Sequence, residues 1–210
     1  MKNMKVLLLN GSPHADGCTN VALSEAAAAL EREGIEAEII HIGADKTHGC
    51  MGCGGCGAAG FCVYEDDKLN EVIGKLDGVD GLVVGSPVHY AAAAGAVSCF
   101  LDRLFTAAPG KLAFKPAACV VSCRRGGASA AFDELNKYFT INNMPVVPSQ
   151  YWNSIHGSAK EEALQDLEGL QIMRQLGRNM AWMLKCFELG KKENFTHPVP
   201  EEHLWTSFIR

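Results

Sequence analysis

The chain has 210 residues, 48% of them hydrophobic, with 19 Lys and Arg against 24 Asp and Glu, a formal net charge of -5. That length and apolar content can bury a substantial core and exclude a disordered chain. The basic residues are scattered, so no positive field exists to attract a phosphate backbone, and nucleic acid is excluded as the expected partner. The apolar run at residues 6–9 is far too short for a secretion signal or a membrane span, so the expectation is a cytoplasmic protein without membrane contact. Nine cysteines in such a compartment bind metal or stay free rather than form disulfides.

Residues 5–10 read as a buried parallel strand. Gly11-Ser-Pro-His-Ala-Asp-Gly-Cys-Thr19 follows as a loop opening a helix at about Thr19 or Asn20. Leu23, Ala26, Ala27 and Leu30 share one face of that helix, Gly34 ends it, and residues 36–42 supply a second strand. After a cysteine-rich loop, Asp66 and Asp67 favour a helix start electrostatically, and Leu69, Val72, Ile73 and Leu76 form its apolar face. Strands at 81–86, 117–122 and 144–147 then alternate with helices at 96–105 and 130–139. A last helix over about 164–188 carries Leu167, Leu170, Met173, Leu176, Met180, Met183, Leu184 and Phe187, and is expected to cover one face of the sheet.

Strands alternating with helices predict an α/β fold with a doubly wound parallel sheet of five strands and helices on both faces. The chain reads as one domain: a core to about residue 150, then a polar-aromatic loop, the long helix and a tail over 151–210. Cys99, Cys119, Cys123 and Cys186 read as small core residues.

Two segments carry chemistry. The loop after strand one offers backbone N–H groups and the donors Ser12, Thr19 and Asn20 to an anion at a helix N-terminus. Its spacing is neither the G-x-G-x-x-G fingerprint nor a lysine-bearing P-loop, so a mononucleotide phosphate fits better than NAD or ATP; an ordinary strand–helix turn is the alternative. The second segment holds Cys50, Cys53, Cys56 and Cys62 in a C-x2-C-x2-C-x5-C array. Structural zinc usually takes two C-x2-C pairs from separated segments, whereas three closely spaced thiols and a fourth nearby suit a 4Fe-4S cluster. Zinc and free thiols are the competing readings. His48 is a substitute ligand or a surface residue.

The segments Gly11-Ser-Pro-His-Ala-Asp-Gly-Cys-Thr19, Gly85-Ser-Pro-Val-His-Tyr90 and Phe100-Leu-Asp-Arg103 resemble the flavodoxin-like NADPH-dependent FMN reductase family, and with the cysteine array the chain resembles its iron-sulfur flavoprotein branch. The resemblance covers the core to about residue 150. It implies a flavodoxin-like strand order 2-1-3-4-5. It also implies an FMN phosphate held by Ser12, His14, Thr19 and Asn20 with the backbone at Cys18, and an isoalloxazine ring bordered by Pro87, Val88, His89 and Tyr90. Homodimers or homotetramers are implied too, and Tyr151, Trp152 and His156 are the candidate contact.

In an open parallel sheet, ligands bind beyond the carboxyl ends of the strands where the strand order switches, which is where these loops emerge. Gly126 and Gly127, after strand four, are candidates to bring N–H groups to the flavin's pyrimidine edge, and Arg124 or Arg125 is either a charge that favours electron-rich flavin or an ordinary solvated or salt-bridged arginine, while Asp102 and Arg103 are expected to make structural contacts. The expected function is hydride acceptance from NAD(P)H at FMN and electron delivery to a small-molecule or protein acceptor, through the cluster if one is held. No side-chain acid or base is needed, so no catalytic residue is named. A cluster-free flavin or quinone reductase and a non-enzymatic electron carrier or redox sensor are the alternatives.

Overall fold

The structure, a computed structural model, describes residues 4–206 and 208. Strand β1 (Lys5–Asn10) leads into helix α1 (Cys18–Arg32) and strand β2 (Glu36–His41). The cysteine loop contains the short helix α2 (Cys56–Ala59), and α3 (Leu69–Lys75) follows. Strand β3 (Gly81–His89) folds back on the two-residue β4 (Ala92–Ala93), then come α4 (Gly95–Ala107), β5 (Ala117–Cys123) and α5 (Ala128–Ile141). Strand β6 (Ser154–His156), the short α6 (Lys160–Ala163) and α7 (Leu167–Lys192) follow.

The parallel sheet has the order β2-β1-β3-β5-β6, with β4 antiparallel to β3 off that path. Counting the parallel strands alone, this is the expected 2-1-3-4-5. Side chains alternate between sheet faces, and the central strands are apolar on both. Leu7, Leu9, Leu82, Val84, Cys119 and Val121 join one core with α3, α4 and α5. Val6, Leu8, Val83, Ala118 and Val120 join the other with α1 and α7.

Three expectations are corrected. Residues 144–147 do not form the fifth strand: Val146 makes only a lone bridge to Ala117, and the edge position goes to β6, paired with Val121–Cys123. Pro145 and Pro148 flank Val146 and have no N–H to give a ladder, so pairing cannot extend there. The long helix starts at Leu167 after a separate turn of helix, capped by Asp166, whose carboxylate accepts from Gly169 N at 2.9 Å and from His156 N at 2.7 Å. Its buried stripe is Ile172, Met173, Leu176, Met180, Ala181 and Leu184, which leaves Leu167 and Phe187 exposed. Cys119 and Cys123 are buried as expected and Cys99 is half-buried, but Cys186 is not a core residue: it is exposed, on the solvent side of α7's buried stripe.

Candidate functional site

The carboxyl ends of β1, β3 and β5 open into a cleft of about 520 Å³. Its first wall is the loop between β1 and α1, which local hydrogen bonds hold in shape. Asn10 spans it, accepting from Ser12 N at 3.1 Å and donating to the Ala15 carbonyl at 3.2 Å. Ser12 Oγ accepts from His14 N at 3.1 Å, and His41 Nε2 donates to the Ser12 carbonyl at 2.7 Å. Gly17 is the N-cap of α1, and no side chain caps the helix. The first-turn N–H groups lack intrahelical acceptors, and the helix dipole adds positive potential at the same end. An anion is the natural partner for this terminus.

Thr19 is buried, and its Oγ1 lies 2.8 Å from Ser122 Oγ at the end of β5. One hydroxyl hydrogen is used between them, leaving the other able to donate to a ligand. Cys18 and Cys123 also line the cleft. Burial pushes both thiols up, aided at Cys18 by Glu162 and Glu161. Both are therefore protonated at neutral pH, and neither repels an anion.

Of the expected flavin residues, the cleft brings together Ser12, His14, Cys18, Thr19, Pro87, Val88, His89 and Arg124. Asn20, Tyr90, Gly126 and Gly127 do not line it. Asn20 follows Thr19 on α1, and one residue further turns a helix by about 100°. Tyr90 is the tip of the β3–β4 hairpin, 106% exposed, with Tyr90 and Ala91 at φ 51° and 61°. Gly127 is the N-cap of α5 at φ 89°, where a Cβ would come within 2.7 Å of Ala91 Cα; its place is a packing position against the hairpin.

Sequence reasoning missed the wall at Gly157, Ser158, Ala159, Lys160 and Glu161. Gly157 N donates to the Cys123 carbonyl at 3.1 Å, its own carbonyl accepts from Cys18 Sγ at 3.5 Å, and Lys160 ion-pairs with Asp16 at 2.6 Å across the cleft. Recognising Ser154–His156 as a strand would have revealed it, because the loop leaving a parallel strand's carboxyl end is where such sites lie.

The four array thiols sit on a separate loop. Cys50 and Cys53 are exposed, while Cys56 and Cys62 are half-buried and pack against the core beside α4. Gly52, Gly54 and Gly60 have φ of 64°, 73° and 74°, a left-handed conformation that lets the chain reverse between thiols. No three Cys, His, Asp or Glu side chains among the described residues are gathered as a metal-ligand set. The donor chemistry, four thiols on a glycine-rich loop, nonetheless fits a thiolate-held cluster. His48 instead pairs with Asp66 at 2.8 Å and stacks on Tyr64 at 4.1 Å. As expected, Asp102 and Arg103 make structural contacts, Asp102 accepting from Tyr138 Oη at 2.6 Å and Arg103 pairing with Asp67.

Residues 4–159 match the NADPH-dependent FMN reductase family. The chain belongs to that family. It is accordingly a flavin-dependent oxidoreductase, and the cleft is its candidate FMN site. An iron-sulfur flavoprotein of Methanocaldococcus jannaschii is 30% identical over 196 residues, covering 88% of this chain and 100% of that one. An iron-sulfur flavoprotein of Methanosarcina thermophila is 25% identical over 194 residues, covering 90% and 99%. Among solved structures, RosB with a bound riboflavin 5'-phosphate derivative superimposes with TM-score 0.67 at 18% identity, covering 99% of this chain and 94% of RosB. An archaeal flavodoxin gives 0.58 at 17% identity, covering 87% and 99%. These two likenesses establish the flavodoxin-like fold.

Proposed function

We propose that this protein binds FMN in the cleft, accepts hydride there from NADH or NADPH, and passes electrons through a 4Fe-4S cluster held by Cys50, Cys53, Cys56 and Cys62 to a small-molecule or protein acceptor. Bound FMN supplies a carrier that takes up two electrons as hydride and can release them singly. The uncapped N-terminus of α1 and the Thr19–Ser122 hydroxyl pair bind its phosphate. Pro87 and Val88, at the end of β3, shape the wall for its ring, and exposed Arg124 favours the electron-rich reduced form.

The observation that carries the FMN reading is an uncapped 15-residue helix aimed into a cleft at the carboxyl ends of the central strands. Hydrogen bonds to a charged group contribute about 1.5–3 kcal/mol each, so S12A and T19V should each weaken FMN binding about 10- to 100-fold. Unchanged flavin affinity in both, measured by fluorescence titration, would count decisively against this phosphate site. For the cluster, C53S should abolish incorporation of iron and sulfide while FMN stays bound. Retention of both elements would remove the assignment.

One second reading is a cluster-free flavin or quinone reductase, in which Cys50 and Cys53 are exposed free thiols. Steady quinone turnover by an iron-free preparation would support it. Homo-oligomerisation through the exposed Tyr151, Trp152 and His156 belongs to the main proposal.

A further inference from the structure

The Phe100-Leu-Asp-Arg103 segment lies outside the flavin cleft, yet it contains the largest fully buried side chain in the described molecule. Arg103, on α4, is 2% exposed, and the side chain of Asp67, just before α3, is equally enclosed. The guanidinium fork is occupied by Asp67, with Nη1 on Oδ2 and Nη2 3.3 Å from Oδ1. Nη1 also reaches the His48 carbonyl at 3.4 Å, and the guanidinium lies 5.2 Å over the Tyr64 ring. Its Nε donates to Cys62 Sγ at 3.3 Å. The Cys62 backbone is clamped as well: Asn70 Oδ1 accepts from its N–H at 2.8 Å, and Asn70 Nδ2 donates to its carbonyl at 2.9 Å.

A buried Arg–Asp pair adds little net stability over an apolar core of the same shape. A neutral thiol is a weak acceptor, whereas a metal-bound thiolate is a strong one. A buried cation with one N–H directed at a sulfur therefore suits an anionic sulfur, and groups that orient ligands from behind govern both affinity and potential at metal centres. The four thiols differ accordingly: Cys62 is fixed at backbone and side chain, while Cys50 and Cys53 lie exposed on the glycine-rich stretch.

We propose that Arg103 is the positioning residue of the thiol loop: held by Asp67, it fixes the Cys62 sulfur as the anchored ligand onto which Cys50, Cys53 and Cys56 close around the cluster. This rests on the cluster reading above. Arg103 also stabilises the more negative, reduced centre and so raises its reduction potential.

The test uses the full-length protein, reconstituted anaerobically with ferrous iron and sulfide, in wild-type, R103K and D67N forms. Iron and sulfide content, resistance to a chelator and the midpoint potential from a redox titration followed by electron paramagnetic resonance are read for each. R103K keeps the charge but cannot serve both Asp67 and Cys62. It should hold iron about 10- to 100-fold less tightly, and D67N should follow it. The midpoint potential should fall in R103K, where the N–H to sulfur is lost. An iron-free wild type would sink the cluster reading and this proposal with it. Iron-loaded wild type beside variants that match it in chelator resistance and potential, or that cannot be recovered folded, would show the pair to be purely structural and overturn this proposal alone.

Discussion

Environment separates cysteines that the sequence presents alike. Cys119, on the inner strand β5, is fully enclosed, and burial drives its thiol well above the ordinary value of 9.0. In metal-free native protein, iodoacetamide should modify Cys50, Cys53 and Cys186 and spare Cys119 until the protein unfolds. Early labelling of Cys119, mapped by mass spectrometry, would contradict the buried assignment. Burial likewise raises the Tyr138 phenol, helped by its bond to Asp102. In both groups the folded state keeps a proton that the unfolded chain releases, so the stability they contribute is whole below pH 9 and declines as pH rises beyond it. Melting temperature should fall above pH 9, and less steeply in C119A. A flat profile to pH 11 would show the two groups to be accessible. At this scale the loop that lines the cleft was legible, because Ser12 and Thr19 follow an unmistakable buried strand. Cys186 was not: helical spacing gives a stripe, but only packing decides which edge of the stripe faces solvent.

Elements meet where side chains are absent as much as where they interlock. Helix α7 crosses α1 at Gly177, where a Cβ would come within 2.6 Å of the Ala26 carbonyl and 2.7 Å of Ala29 Cβ. G177A must push the helices apart and should cost about 1–3 kcal/mol in chemical denaturation; an unchanged midpoint would mean the crossing yields freely. At the β3–β4 hairpin, Tyr90 and Ala91 adopt the positive φ that two-residue turns favour in glycine or asparagine. A91G should therefore stabilise the protein by about 1 kcal/mol. Loss of stability would mean Ala91 packs better than its backbone suggests. The repeating strand–helix pattern made these elements legible, and the one strand misplaced is instructive. Residues 144–147 look like a strand, yet prolines bar their ladder; Ser154–His156 looks like loop, yet Ile155 is fully buried and Asn153 braces it, donating from Nδ2 to the Cys119 carbonyl at 3.0 Å. Three residues are too few to show a period.

In the whole molecule, apolar surface is divided unevenly. Both sheet faces are sealed, while Trp182 and Leu189 on the outer side of α7 and Leu204 and Trp205 in the tail stand exposed. No helix among the described residues is long and apolar enough to cross a membrane. Sedimentation at micromolar concentration should find dimers or tetramers; a monomer whose flavin affinity survives dilution would contradict this. The candidate flavin cleft and the thiol loop occupy different elements, the cleft at the ends of β1, β3 and β5 and the loop between β2 and α3 beside α4. The sequence displays both motifs, but that separation follows from the topology and cannot be read from spacing. The claim that joins them, a flavoprotein with a second redox centre, is tested most directly by an anaerobic ultraviolet-visible spectrum of freshly purified protein with parallel iron and sulfide analysis. The account predicts flavin bands on a broad brown absorption that bleaches with dithionite, and about four iron atoms per chain. Clean flavin bands without iron, in protein never exposed to oxygen, would contradict it and leave the cluster-free reductase.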